Sequence, residues 1–173
     1  SFSKTRKANL MRVLFIINDL RLGGKERQCV TLIKNLVETS SARCELVVIK
    51  PLIEYTEIYK IGIPLHILQQ ESKNDIAKIF KLFKILHAFQ PNVVHSFIGL
   101  TSFYSILLKP FFHFKLIENS VRGAAKRNTF SIMKKLMDQF NFLFSDRVVS
   151  NSRAGIGAYK APLKKSTVIY NGF

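Results

Sequence analysis

Acidic residues are scarce in this 173-residue chain: 11 Asp and Glu stand against 27 Lys and Arg, for a formal net charge of +16. Nucleic acid, an anionic membrane surface and a phosphorylated substrate are all attracted by such a field, so charge by itself does not choose among them. Cysteine is nearly missing too. Cys29 and Cys44 have neither CxxC nor Cys/His spacing, which argues against a zinc site or a disulfide-stapled fold and suits a reducing compartment. The pair is expected to be two small buried residues, one in a helix and one in a strand. No apolar run approaches the roughly 20 residues needed to span a bilayer, because Lys or Arg interrupts each candidate. Ser1 to Leu10 lacks the apolar stretch of a secretory signal, and Met11, directly before a strand, reads as a natural start, which makes residues 1–10 a leader.

Most compact catalytic signatures are absent as well. The sequence contains no GxGxxG, GK[ST], GxSxG or HExxH, and no carboxylate pair spaced for glycoside hydrolysis. His66, His87 and His113 form no metal-binding pattern. No metal, no cofactor and no self-contained catalytic apparatus are expected.

What is present is a repeating sentence. Hydrophobic residues make up 47% of the chain and charged residues 22%, as in an ordinary folded domain, and the length suits one domain. Arg12 to Ile17 is a near-continuous apolar run, as in a strand buried on both faces. After Asn18, Asp19, Gly23 and Gly24 comes an amphipathic stretch, Lys25 to Val37, with Val30, Ile33 and Val37 at helical spacing. Further strands are predicted at Glu45 to Ile49, Leu65 to Leu68, Val93 to Ser96, Lys115 to Ser120, Arg147 to Ser150 and Thr167 to Ile169. Helices are predicted at Ile53 to Lys60, from Ser72 or Asn74 to Phe89, at Leu100 to Leu108, Ser131 to Phe144 and Arg153 to Tyr159. Alternation of this kind requires right-handed crossovers. It predicts an α/β domain with a Rossmann-like, doubly wound, mainly parallel sheet.

In such a sheet ligands bind beyond the carboxyl ends of the strands, where helix N-termini attract anions. Two predicted loops there combine glycine with cations. The first carries Asn18, Asp19, Arg21, Gly23, Gly24, Lys25 and Arg27; the second carries Asn119, Ser120, Arg122, Gly123, Lys126 and Arg127. Glycine lets backbone approach a phosphate, and a guanidinium such as that of Arg122 binds phosphate or carboxylate bidentately. A plain turn with solvated cations is the competing reading of the Gly-Gly loop. His95 ends the fourth strand, yet a lone histidine within Val-Val-His-Ser reads as a satisfied sheet residue more readily than as a base. The lysine-rich helix ending at Phe89 places Ile76, Ile79, Phe80, Phe83, Leu86 and Phe89 on one face, expected to meet the core, with anionic lipid as the alternative. Phe111, Phe112 and Phe114, beside Lys109, His113 and Lys115, suit either a membrane surface or contact with a further part of the protein.

In order along the chain, Val13-Leu14-Phe15-Ile16 and Leu22-Gly23-Gly24-Lys25-Glu26-Arg27, Gly62-Ile63-Pro64, Gln90 to Ser96, Ser145 to Ser152, and Val168-Ile169-Tyr170-Asn171-Gly172 resemble the N-terminal domain of the family-four, GT-B-fold glycosyltransferases. The resemblance implies a retaining, metal-independent transferase that uses a nucleotide-sugar donor at a cleft between two Rossmann-like domains, with residues 11–173 as the acceptor-side domain. It places Gly23, Gly24 and Lys25 near the donor diphosphate. Ser120, Arg122 and Arg127 then face acceptor or donor oxygens, and His95 and Asn18 are secondary candidates. The family's glutamate pair, with seven residues between the two, has no counterpart here and is expected in a C-terminal donor domain. Lys25 stands where the family usually has a small residue, Phe97 replaces a frequent second histidine, and Ser120 and Arg122 occupy the place of a Thr-x-His pattern. The expected partners are a nucleotide sugar, a glycan or lipid-linked acceptor and the donor domain. The expected role is cell-surface polysaccharide or glycolipid synthesis in the cytoplasm, at the inner face of a membrane. The rival readings are a basic nucleic-acid-binding module, which the absence of RRM, KH and helix-turn-helix patterns disfavours, and a non-catalytic membrane-associated scaffold.

Overall fold

The strand Met11–Ile17 (β1) is apolar at successive positions because it lies inside the sheet and is covered on both faces: Leu14, Phe15, Ile16 and Ile17 are fully buried. The computed structural model describes residues 10–69, 74–121 and 131–170. Within them β1 is joined by β2 (Ala42–Val48), β3 (Leu65–Ile67), β4 (Val93–Ser96), β5 (Lys115–Val121), β6 (Arg147–Ser150) and β7 (Ser166–Val168) in one seven-stranded sheet of order β3-β2-β1-β4-β5-β6-β7. Every pairing is parallel. The doubly wound expectation is therefore met, and the strand order reverses between β1 and β4.

The connecting helices are α1 (Gly24–Glu38), α2 (Glu57–Ile61), α3 (Asp75–Phe89), α4 (Gly99–Leu108), α5 (Ile132–Phe144) and α6 (Arg153–Tyr159). Their starts follow local chemistry. Asn74 accepts from the Ile76 N–H at 2.9 Å, Ser131 from Lys134 at 3.2 Å and Ser152 from Gly155 at 3.0 Å. Gly62, at φ 75°, ends α2 in the left-handed conformation that glycine adopts without steric cost. Strand alternation splits the interior. Val13, Phe15, Ile17, Cys44, Leu46 and Val48 pack with Cys29, Val30 and Ile33 of α1. Leu14, Ile16, Val94 and Leu116 face α3 and α4.

Two sequence expectations are corrected. The helix predicted from Ile53 to Lys60 is reduced to Glu57–Ile61, because the preceding residues pair with Leu20. Its N–H donates to the Leu52 carbonyl at 2.8 Å, and its carbonyl accepts from the Glu54 N–H at 2.9 Å. In α3 the buried line runs through Lys78, Leu82, Ile85, Leu86 and Phe89, whereas Ile76 is 75% and Phe80 59% exposed. The core-facing stripe is rotated from the predicted one, with Phe83 turned sideways onto the Phe112 ring at 5.1 Å. Both cysteines are buried and unbonded, in α1 and β2 as expected.

Candidate functional site

The Gly-Gly turn joins the carboxyl end of β1 to α1, at the point where the strand order reverses. Gly23 is the N-cap of α1, in extended backbone, and Gly24 is its first residue. A side chain at Gly24 would meet open space, whereas one at Gly23 would strike the Glu26 carboxylate. Glu26, in the third helical position, thus leans back over the helix start, as a carboxylate does when it compensates the partial positive charge there.

The cations of this turn are less available than the sequence implies. Lys25 pairs with Glu26 at 3.3 Å. Arg21 binds Asp19 through Nε and Nη2, both at 3.1 Å, and Asn18 donates to the same carboxylate at 2.6 Å. Burial pushes the Asp19 carboxyl up, but these bonds outweigh it and hold the group below the ordinary aspartate range. The Leu22 N–H donates to Glu54 at 2.8 Å. Asp19, Arg21, Leu22, Glu26 and Glu54 together line a small cavity of about 330 Å³. An anion approaching Gly24 must therefore displace the Glu26 carboxylate or draw Lys25 away from it.

A larger cleft, about 390 Å³, opens between α1 and the carboxyl ends of β4 to β7. Arg27 and Asn35 line its α1 wall; His95, Phe97, Asn119 and Asn151 line the sheet side. His95 is 8% exposed and stacks on Phe97 with ring centroids 4.6 Å apart. The Asn119 amide and His95 Nε2 are hydrogen-bonded at 3.1 Å. The Asn151 Oδ1 is buried and has no hydrogen-bond partner. Leu32, Val149 and Ile169 also line the cleft, so it combines a largely apolar surface and an aromatic face with a few amides and one guanidinium. Asn119 was legible in the sequence as part of the second loop. Asn35 and Asn151 were not, because only the crossover geometry brings their elements to the same cleft.

Ser120 is half-buried near the end of β5, with its N–H donating to Glu118 Oε1 at 2.9 Å. Arg122 and Arg127 lie outside the described residues, as do Gly123 and Lys126. Gly23, Gly24, Lys25 and Asn18 are thus gathered at one turn, and His95 lies in the neighbouring cleft with Arg27. Among the described residues no three His, Cys, Asp or Glu side chains converge as metal ligands would.

No family model matches the sequence, and no curated protein sequence matches it. Solved structures do match in shape. Anabaena HepE, in a complex with UDP and glucose, superposes with a TM-score of 0.72 at 17% identity over 94% of this chain and 45% of its own. The lipopolysaccharide outer core galactosyltransferase WaaB, in its apo form, superposes with a TM-score of 0.68 at 15% identity over 94% of this chain and 46% of its own. UDP-GlcNAc 2-epimerase from Methanocaldococcus jannaschii does so with a TM-score of 0.62 at 11% identity over 93% and 46%. The chain spans less than half the length of each. The parallel sheet, its reversed order and these superpositions make the chain a Rossmann-like half-domain of the GT-B fold.

Proposed function

We propose that this chain is the N-terminal, acceptor-side half of a retaining glycosyltransferase of family four that transfers a sugar from a nucleotide-sugar donor to a glycan or lipid-linked acceptor. The observation that carries the reading is the superposition of nearly the whole chain on less than half of structures such as HepE, which holds UDP and glucose, and the galactosyltransferase WaaB. In the reaction the bond from the sugar's anomeric carbon to the donor phosphate breaks, and a bond from that carbon to the acceptor oxygen forms. The acceptor's proton leaves with the nucleoside diphosphate.

In this reading Gly24 gives donor phosphate close access to the α1 start, and Lys25 neutralises it after parting from Glu26. The cleft of Arg27, His95, Asn119 and Asn151 supplies hydrogen bonds to acceptor hydroxyls, and Ser120, Arg122 and Arg127 are assigned contacts with acceptor or donor oxygens. The glutamate pair and most of the nucleotide site belong to a C-terminal domain. A cytoplasmic protein working at the inner face of a membrane, on cell-surface polysaccharide or glycolipid, accounts for the basic charge. The test is sugar transfer by the whole protein from radiolabelled UDP-sugars to a lipid extract. Gly24→Trp is expected to abolish transfer while leaving the thermal transition in place; full activity in that variant would remove the turn from the site.

The likeness to UDP-GlcNAc 2-epimerase supports a second reading, an enzyme that acts on the nucleotide sugar itself. Epimerisation of UDP-GlcNAc with no acceptor present, and no transfer when acceptor is added, would replace the transferase reading with that one.

A further inference from the structure

Two cavities flank the start of α1, and they differ in charge. The smaller one, beside the glycine turn, is lined by three carboxylates, Asp19, Glu26 and Glu54, with Arg21 as its guanidinium. The larger cleft has no carboxylate among its described lining residues, and its one permanent charge is that of Arg27. The neighbouring cations are engaged: Arg21 pairs with Asp19, Lys25 with Glu26 and Lys34 with Glu57. Among the described residues the guanidinium of Arg27 has no ion-pair or hydrogen-bond partner. Glu26, next to it in the chain, is turned toward Gly23 and Lys25 instead.

Helix geometry sets the place of this charge. Arg27, Thr31 and Asn35 recur every four residues and form one line along α1, facing the cleft. Arg27 belongs to the first turn of the helix, at the end of that line nearest the carboxyl edge of the sheet, where ligands of doubly wound folds bind. The surface beside it, from Leu32, Phe97, Val149 and Ile169, is apolar, and apolar walls strengthen the attraction between opposite charges by excluding water. A ligand that matches this cleft has an acidic group for Arg27, hydroxyls for the amides of Asn35, Asn119 and Asn151, and a C–H face for the apolar side chains. An acidic sugar has all three. The volume of about 390 Å³ is at the low end of the roughly 300–1,000 Å³ of small-molecule sites, which suits a sugar unit better than a long lipid chain.

We propose that the sugar unit this cleft accepts is acidic, and that Arg27 selects it by pairing with the carboxylate or phosphate it carries. A guanidinium holds either oxyanion through two parallel N–H bonds, which adds direction to the attraction. A neutral sugar in the same place leaves Arg27 with hydroxyl contacts alone, so the two kinds of acceptor differ by a charge-assisted interaction. The inference deepens the transferase reading and rests on it, since it names the class of acceptor.

The experiment is a titration of the whole protein, followed by saturation-transfer NMR, with methyl glucuronide, glucose 6-phosphate and the neutral methyl glucoside, and with UDP in parallel. An acidic probe is expected to bind at least about tenfold more tightly than methyl glucoside, the glucuronide if the acceptor's acid is a carboxylate and the sugar phosphate if it is a phosphate. That preference is expected to shrink with salt. Arg27→Gln, which keeps a good helix former at the position, is expected to remove the preference and leave methyl glucoside binding nearly unchanged. Lys164→Gln removes the same charge at an exposed site outside the cleft and is expected to keep the preference. Equal or absent binding of acidic and neutral probes by the parent, a preference that survives Arg27→Gln, or an equal loss in Lys164→Gln would each overturn the proposal, the last by assigning the preference to net charge. Loss of UDP affinity alone in Arg27→Gln would overturn it too, by placing the guanidinium at the donor phosphate. UDP bound by a parent without acidic preference removes the acidic acceptor and leaves the transferase reading; absence of UDP binding removes both.

Discussion

Asn141 donates from Nδ2 to the carbonyl of Gly99 at 2.7 Å, tying the inner side of α5 to the first turn of α4. This bond, made 1% exposed at Asn141, helps decide which side of α5 faces inward. Asn141→Ala is expected to lower stability by about 1–3 kcal/mol in urea unfolding, the cost of losing a buried hydrogen bond and leaving space behind. An unchanged midpoint would mean that α5 is held by its other contacts.

Glu118 is fully buried in β5. Burial pushes its carboxyl above the ordinary glutamate range, with nearby Asp138 adding to the effect and Ser102 and Ser120 opposing it. A raised acid favours folding while it holds its proton, so this contribution is complete below the unfolded value of 4.5 and is lost as pH rises through the raised folded value. Glu118→Gln mimics the protonated form. It is expected to melt a few degrees above the parent at about pH 8 and to lose that advantage at about pH 4, as differential scanning fluorimetry would show.

Asp146 behaves in the opposite sense. Burial pushes it up, but Lys109 Nζ at 2.7 Å, the Leu116 N–H at 2.8 Å and Lys115 Nζ at 3.4 Å prevail and hold it below the ordinary range. Its contribution is present above the unfolded value of 3.8 and lost as pH falls through the lowered one. Asp146→Asn is expected to cost about 1–2 kcal/mol near neutral pH by removing the charge from these bonds, with the difference from the parent closing in strong acid.

The cysteines offer a simple probe of the interior. Burial raises both thiols, Cys44 to about 11 and Cys29 further, and the thiolate is the reactive form. Neither is expected to react with a disulfide reagent in the native protein at about pH 8, and both should react in urea. Rapid native labelling of Cys29 would show that α1 opens away from β1 and β2.

Much of the fold is legible along the chain because strand and helix signals are local. Val13 to Ile17 reads as a doubly covered strand from its unbroken apolar run, and of the helices read from Ser72 or Asn74, from Ser131 and from Arg153, the structure starts the first at Asp75 behind Asn74, the second at Ile132 and the third at Arg153. The candidate site is less legible. Lys25 and Arg21 read as free cations, but Glu26 and Asp19 occupy them, and Glu54, which takes the Leu22 N–H, lies 32 residues away. Asn35 and Asn151 meet at one cleft for the same long-range reason.

The sequence by itself determined a parallel, doubly wound sheet with a glycine turn at the end of its first strand, since periodicity and turn chemistry are set by neighbours along the chain. Tertiary structure alone decided the mounting of α5. Its amphipathic pattern defines two faces without saying which is inner, and an apolar stripe is by default assigned to the core. Here Asn141 turns toward α4, where the Gly99 carbonyl accepts its N–H, Asp138 is buried on the same side and pairs with Lys134 of α5 itself, and Leu136 and Leu143 are left outward. Which face of a helix is buried depends on the polar groups waiting on the layer beneath it, and those lie in other parts of the chain.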